Sequence, residues 1–496
     1  MSRRNIALAA VVFLLASFLS KGLLFGSSPN VILIVADDMG YADMGVQGAI
    51  GFQTPHLDQL AQQGTRFTSF YVAQAVCTAS RAALMTGCYP NRIGMHGAYN
   101  HTSRDGIAES EWLLPEMFQE RGYATAGMGK WHLGTRLKFH PNRHGFKEWL
   151  GIPYSNDNSK YHPSLASQMP PLPFYEGERV VENDPDQALF TKRFTEHAIR
   201  FIELHTSQPF FLYMPHVMPH VPIFASEDFK GRSKAGLYGD VLEELDWSVG
   251  QIMVTLKRLD IERNTLVIFI SDNGPFLSYG DHAGSATPFR EGKLTTFEGG
   301  VRVPCIARWP ERIPAGRICS DPWMSISILP TMAELIGGKL SSLKIDGKSA
   351  RGLLLGEENA GSPQEALFFY SGTALQAVRS GRWKLHFPHP YITVAAEPGK
   401  NGKPSNWDKL APTTITQSGV EGIATRHGYR VEQIEESLFD LETDPAEVNN
   451  VAAAHPDIVK RLTGLANAVR EELGDSQLQV NGRGLRKPGL DISVAD

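Results

Sequence analysis

Cysteine is scarce in this chain: only Cys77, Cys88, Cys305 and Cys319 occur among 496 residues. That excludes a disulfide-built scaffold, and a core of this size folds without cross-links. Long apolar runs are scarce as well. Ile6 to Ser20 is the one stretch to consider, and it breaks at Lys21, short of the ~20 apolar residues a spanning helix needs. Blocks of one charge are missing, and the net charge is only −5. This leaves no nucleic-acid arm and no polybasic membrane patch, so no nucleic-acid partner is expected. No internal repeat is visible. What remains is an ordinary globular composition, 42% hydrophobic and 20% charged. Its length holds one large domain plus a smaller one, and its balance favours a small-molecule or carbohydrate-type ligand.

The start of the chain reads as an export signal. Arg3 and Arg4 precede the apolar run, and small residues follow it in "SKGLLFGSSPN". Residues 1–28 are expected to be a signal peptide, placing the mature protein in the periplasm or outside the cell with no stable membrane span. An uncleaved N-terminal anchor is the alternative.

Short apolar runs then alternate with helical patterns. "VILIVA" (Val31 to Ala36), "YATAGM" (Tyr123 to Met128), "FFLYM" (Phe210 to Met214) and "TLVIFIS" (Thr265 to Ser271) read as strands apolar on both faces, the mark of a buried, largely parallel sheet. "TPHLDQLAQQG" reads as a helix with Thr54 as N-cap, Pro55 at its first position and Gly64 as its stop. Asp186 to His205 and Gly239 to Leu259 carry apolar residues at helical spacing. The expected fold is α/β, a large mixed, mostly parallel central sheet sandwiched by helices over residues 29–360. From 361 to 496 the pattern becomes a smaller α+β unit with antiparallel strands at 366–370, 375–387 and 436–441. A helix at 456–473 closes it, and a Pro/Gly/Ser-rich loop at 395–419 interrupts it.

Each strong strand is followed by polar residues: Asp37-Asp38, then Lys130 and His132, then His216 and His220, then Asp272-Asn273. Open α/β sheets bind ligands at the carboxyl ends of their strands, so these groups should converge. Three carboxylates and an amide suit Ca²⁺ or Mg²⁺ better than zinc, and a divalent cation would relieve their mutual repulsion. Taken singly, "ADD" and "SDNG" are ordinary turn sequences. Lys130 and Lys293 add cationic groups, and His132 and His220 offer a proton acceptor and a proton donor. His216, held between prolines, reads as structural. Cys77 precedes the helix-forming "SRAALMTG", where the helix N-terminus favours an anion and a low thiol pKa.

Together these stretches carry a resemblance. "CTASRAALMTG" resembles the signature of the type I, formylglycine-dependent sulfatases, the arylsulfatase A-like branch of the alkaline phosphatase superfamily. "NVILIVADDMGYADMG", "GKWHLG", "GIPYSND", "TLVIFISDNGP", "GKLTTFEGGVRVP" and "LFDLETDPAEVNNVA" match the family's other motifs in its order, from about residue 30 to about residue 452. The resemblance implies hydrolysis of a sulfate monoester to alcohol and inorganic sulfate. Cys77 would be oxidised to Cα-formylglycine, whose hydrate attacks sulfur with one hydroxyl and releases sulfate through the other. Asp37, Asp38, Asp272, Asn273 and the modified Cys77 would hold Ca²⁺, with Mg²⁺ possible. Arg81 would brace the gem-diol, while Lys130 and Lys293 bind sulfate oxygens. His132 would deprotonate the second hydroxyl, His220 would protonate the leaving oxygen, and Ser155 would bind sulfate.

The partners implied are a sulfate ester, a sulfated carbohydrate in preference to an aryl sulfate, and a maturing enzyme of the formylglycine-generating or radical type. One departure bears on the latter: the family's usual proline is Ala79 here, which removes a fixed φ. With Cys77 committed, the other three cysteines can form at most one pair. Two alternatives stand beside this reading. One is a phosphodiester or phosphonate monoester hydrolase on the same fold; the other is a sulfated-glycan binding protein whose Cys77 is never modified. Substrate choice is assigned to loops such as 156–183 and 388–430.

Overall fold

The computed structural model describes residues 28–163, 165–410 and 419–492. The expected signal peptide therefore lies outside the described residues, apart from its last position. Ten strands form the central sheet: β1 (Asn30–Ala36), β2 (Thr65–Phe67), β3 (Ala124–Lys130), β4 (Glu148–Ile152), β5 (Pro173–Glu176), β6 (Arg179–Asn183), β7 (Phe210–Pro215), β8 (Thr265–Ser271), β9 (Cys305–Arg308) and β10 (Arg317–Cys319). Their order is β10-β2-β9-β8-β1-β7-β3-β4-β5-β6. The middle run β8-β1-β7-β3-β4 is parallel throughout, and antiparallel pairings lie toward the edges.

Helices cover both faces, and β1 shows why the strand is apolar on every residue. Val31, Leu33 and Val35 point into one core, with α2 (Cys77–Thr86), α3 (Leu114–Glu120) and α6 (Ile328–Ile336). Ile32, Ile34 and Ala36 point into another, with α1 (Pro55–Gln62), α4 (Phe190–Leu204) and α5 (Gly236–Arg258). Side chains alternate across a strand, so a sheet buried twice must be apolar at every position.

The strand after Tyr123 runs on to Lys130, two residues past the expected end, which carries Lys130 into the sheet. Gly129 makes this possible. It sits at φ 142°, and a β-carbon there would lie 1.8 Å from the carbonyl oxygen of Pro215, so only glycine allows β3 and β7 to approach this closely. One expectation fails nearby. Residues 156–183 are not all loop, because β5 and β6 form a hairpin on the sheet edge. Most side chains of β6 are exposed, so it lacks the apolar alternation that would announce a strand.

Thr54 stands before α1 as expected but does not cap it. Its hydroxyl accepts from the Gly45 N–H and donates to Asp58. The free N–H groups of His56 and Leu57 instead donate to Asp246 of α5, at 3.1 and 2.7 Å. A carboxylate from a neighbouring helix thus does the work of an N-cap. Asp246→Ala should lower unfolding free energy by about 2 kcal/mol, the cost of leaving two buried donors unmet. The midpoint of a urea titration measures this, and an unchanged midpoint would show that water replaces the carboxylate.

The last third adds β11 (Leu367–Ser371), β12 (Ala374–Ser380), β13 (Trp383–His386), β14 (His389–Val394), β15 (Tyr429–Ile434) and β16 (Ser437–Asp440), with α7 (Val420–His427) and α8 (Pro456–Leu473). β11-β12-β13-β16 is antiparallel, and β14 pairs with β15. The run expected as one strand at 375–387 is two, turned at Gly381 with φ 59°. Region 388–430, expected as loop, holds β14, α7 and the start of β15. Leu462, Ala466 and Leu473 of α8 share a core with Phe369, Leu385 and the central sheet. Among the described residues no helix is long and apolar enough to cross a membrane, and all four cysteines are free and buried, so the pair that the sequence left open does not form.

Candidate active site

Parallel pairing sets the site. Ala36 of β1 lies beside Ser271 of β8, so Asp37-Asp38 and Asp272-Asn273 leave the sheet side by side. β7 and β3 bring His220 and Lys130 to the same end. Three residues here take left-handed backbone angles without being glycine: Asp38 (φ 67°), His132 (φ 62°) and Leu294 (φ 73°). Such strain persists only where surrounding structure enforces it, and it gathers at functional sites.

Asp37, Asp38, Cys77 and His220 offer ligand atoms that all lie within 4.8 Å of one another, and all four residues are buried. Asp272 sits just behind: its Oδ1 accepts the Asp38 N–H (3.1 Å) and its Oδ2 accepts the Arg81 Nε–H (3.0 Å). Asn273 donates through Nδ2 to Asp38 Oδ1 (2.7 Å), while its own Oδ1 is buried without a hydrogen-bond partner.

Charge is balanced within the cluster. Lys130 Nζ donates to Asp37 Oδ2 (2.6 Å), Lys293 Nζ lies 2.7 Å from Asp38 Oδ1, and Arg81 bridges Asp37 (3.5 Å) and Asp272 (2.9 Å). Arg81 also donates to the Lys130 carbonyl (2.9 Å), tying α2 to the end of β3. Although burial opposes its charge, Asp37 is held below the usual carboxylate range by Lys130 and Arg81. Asp272 is pushed up, by burial first and then by Asp37.

Cys77 occupies the first turn of α2, as expected, but its thiol is not acidic. Burial pushes it up to about 12 despite Lys130 and Lys293, and the neighbouring carboxylates push the same way. Desolvation outweighs the helix dipole here, so the unmodified thiol is a poor nucleophile at neutral pH. Its Sγ lies 3.3 Å from Lys293 Nζ and 3.7 Å from Asp37 Oδ1.

His132 Nε2 faces the Tyr99 carbonyl at 2.6 Å. A carbonyl only accepts, so Nε2 carries the proton and Nδ1 keeps a lone pair, buried and without a partner. Burial and then Lys130 hold this ring far below the ordinary histidine value. His220 Nδ1 faces the Val221 carbonyl (2.5 Å), and its Nε2 lies 3.5 Å from Ser155 Oγ and 3.6 Å from Asp38 Oδ2. Ser155 Oγ is also 3.3 Å from Lys130 Nζ. His216 fits its structural reading: it is 1% exposed, and burial lowers it to about 3.

A cavity of about 740 Å³ opens above these groups, lined by Cys77, His132, Ser155, His220 and Lys293. Phe276 lies beneath Lys293 Nζ, 4.8 Å from its ring centre. Asp157 also lines the cavity; His220 and His162 hold its carboxyl below its usual range against the opposing effect of burial. The far wall comes from the last third of the chain through Tyr370, Gln376, Tyr391 and His427. Sequence reasoning missed these wall residues. Asp157 had a signal, since it stands in "GIPYSND", and Tyr391 and His427 lie in the 388–430 segment to which substrate choice was assigned; Tyr370 and Gln376 had none. A second cavity, about 810 Å³, is lined by His56, Lys257 and Arg308 and contains none of the clustered residues.

Comparison with known proteins agrees with this geometry. Residues 29–338 match the Sulfatase family model, and residues 362–489 match that of the C-terminal region of aryl-sulfatase. The N-acetylgalactosamine-6-sulfatase of Canis lupus familiaris is 36% identical over 479 residues, covering 91% of this chain and 88% of the relative. Arylsulfatase A of Bos taurus is 40% identical over 391 residues, covering 74% and 76%. Among solved structures, PsFucS1 sulfatase from Pseudoalteromonas sp. superposes with a TM-score of 0.76 at 27% identity, covering 89% of this chain and 90% of that one. The strand-tip cluster, the matched length and these relatives together establish that the chain belongs to the sulfatase family and is a sulfuric ester hydrolase.

Proposed function

We propose that the enzyme cleaves a sulfate ester of a carbohydrate, with Cys77 converted to Cα-formylglycine and a Ca²⁺ ion, or Mg²⁺ in its place, bound beside it. The observation that carries this is the cluster of Asp37, Asp38, Cys77 and His220 within 4.8 Å, flanked by two lysines at a cavity floor. The donors fit a hard cation: carboxylates, plus the amide oxygen of Asn273, buried and unpartnered. Asp37, Asp38, Asp272 and Asn273 would hold the ion together with residue 77. When present, the ion supplies positive charge against the sulfate oxygens, and the hydrated aldehyde supplies the attacking hydroxyl.

The chain's own residues do the rest. Lys130 and Lys293 hold sulfate oxygens and offset negative charge that grows in the transition state. Arg81 fixes α2 against both aspartates, so residue 77 is held in line. The lone pair on His132 Nδ1 accepts a proton from residue 77. His220 Nδ1–H is held by the Val221 carbonyl, so Nε2, beside Ser155, protonates the departing alcohol oxygen from the imidazolium form of the ring. Burial opposes that form and Asp38 at 3.6 Å favours it, and Ser155 supports the sulfate.

A cavity of about 740 Å³ exceeds what a sulfate group fills, which favours a saccharide unit over inorganic-sized substrates. The names of the relatives, N-acetylgalactosamine-6-sulfatase among them, support the same class. Export to the periplasm or outside the cell, a division near residue 360 between catalytic and C-terminal units, and maturation by a formylglycine-generating or radical-type enzyme belong to this reading.

Three measurements test it. The peptide containing Cys77, isolated from native protein, should be lighter by one sulfur and two hydrogens and heavier by one oxygen; an unmodified thiol throughout would favour a sulfated-glycan binding protein. Turnover of 4-nitrophenyl sulfate should exceed that of bis-4-nitrophenyl phosphate, and a faster phosphodiester would favour the phosphoryl-transfer alternative. Prolonged EDTA treatment should reduce sulfate-ester turnover by about a hundredfold or more, with Ca²⁺ restoring it; turnover indifferent to chelation would remove the metal from the scheme.

A further inference from the structure

Lys293 and its loop are not secured by the central sheet alone. Lys293 N–H donates to the Pro275 carbonyl (2.9 Å) and Leu294 N–H to that of Ala75 (2.8 Å). Further anchorage of the loop comes from the C-terminal antiparallel sheet and the turn that follows it. Lys384 of β13 is fully buried, and its ammonium lies against three acceptors. These are the Thr296 carbonyl (2.7 Å), Glu298 Oε1 (2.9 Å) and Glu447 Oε1 (2.9 Å). An ammonium has three protons, so the set is complete.

Glu447, in the turn after β16, closes the arrangement. Its Oε2 accepts the Glu298 N–H (2.6 Å), its Oε1 also faces His386 Nε2 (2.8 Å), and its backbone carbonyl accepts from Arg290 (3.1 Å). Glu298 Oε2 in turn accepts from Tyr71 (2.6 Å) and Arg302 (3.2 Å). Thr296 Oγ1 donates to Gln376 of β12 (3.0 Å). Arg290, Thr296 and Glu298 flank Lys293 on both sides, and each is gripped by residues from beyond position 370.

Buried ion pairs of this kind add little net stability, because desolvation offsets their attraction; in some proteins those that are kept fix one arrangement among several. We infer that Lys384 and Glu447 are positioning residues for catalysis, holding the 290–298 segment so that the Lys293 ammonium stays over the acidic cluster. The inference rests on the reading of Lys293 as a sulfate-binding group. It assigns the C-terminal sheet a part in turnover beyond walling the cavity.

The test is a double-mutant cycle in the full-length protein, read as kcat and KM for 4-nitrophenyl sulfate. The charge-balanced pair Lys384→Met/Glu447→Gln removes one positive and one negative charge, leaving no new net charge buried. It should lower kcat by about tenfold or more and weaken inhibition by inorganic sulfate. Placed in a Lys293→Ala background, the same pair should change kcat by less than about twofold. A merely structural role would give equal losses in both backgrounds, or a lower thermal midpoint with kcat unchanged, and either result overturns the inference. Should the pair fail to accumulate as folded protein, Glu447→Gln alone, which keeps shape and volume, carries the same comparison. If Lys293→Ala leaves kcat unchanged in the otherwise native enzyme, the reading of Lys293 falls and the inference with it. A native enzyme that turns over no sulfate ester would instead sink the proposed function.

Discussion

Cys77→Ala is expected to reduce turnover of 4-nitrophenyl sulfate by about ten-thousandfold or more, the scale of losing a covalent nucleophile. No neighbour can stand in. Asp37 is paired with Lys130 and Arg81, Asp38 with Lys293, and His220 Nδ1 is committed to a backbone carbonyl. The fold should tolerate the change, because position 77 lies in the first turn of α2 and alanine suits a helix. The small cavity left by the lost side-chain atoms costs about 1 kcal/mol. Steady-state kinetics beside a thermal melt separates the two effects. The expected pattern is an enzyme folded nearly as before and close to inert. Residual turnover within about tenfold of the native enzyme would point to a nucleophile other than residue 77.

Arg81→Ala should be the most destabilising single change in the site, by about 3–5 kcal/mol. Arg81 is 1% exposed, and both carboxylates it bridges are buried. Removing it strands Asp37 and Asp272 with less countercharge, and a buried charge without its partner costs far more than the pair contributes. It also deletes the bond to the Lys130 carbonyl, so turnover should fall with stability. Arg81→Lys should recover little, because one ammonium cannot reach two aspartates and a carbonyl in the planar fork that guanidinium provides. Urea unfolding of both variants, with turnover measured on the folded fraction, checks this. A loss under about 1 kcal/mol would mean that water or Lys130 takes over the countercharge.

The parts of the molecule that sequence made legible share one property: their chemistry follows a short, doubly apolar strand. Asp37, Lys130, His220 and Asp272 each stand just after such a run or at its end, and parallel pairing does the convergence. What stayed hidden depended on distant partners. β14 is strand because β15, some 35 residues on, pairs with it, and Pro, Gly and Ser between them advertise only a loop. β6 is exposed on most residues, so nothing in its pattern distinguishes it from coil. The cap of α1 was assigned to the nearest candidate, Thr54, when the acceptor is 190 residues away on α5. The thiol of Cys77 was expected to be acidic from its place on a helix, a local argument that burial overrode. Lys384 carried no signal, since a lysine in an antiparallel strand is ordinarily a surface residue, and Glu447 stood in "LFDLETDPAEVNNVA" with nothing to mark its side chain as a buried partner of that lysine.

The alternation in β1 has a consequence for how this chain can change. Val31, Leu33 and Val35 answer to one interior, Ile32, Ile34 and Ala36 to the other, and the strand ends in the two aspartates. A deletion of one residue here would exchange the occupants of both interiors and rotate the acidic tip by half a turn in a single event. Drift at this strand is therefore confined to swaps of similar volume. The far wall of the cavity, built from later elements and partly from irregular chain, is where insertions can accumulate and new substrates can be tried.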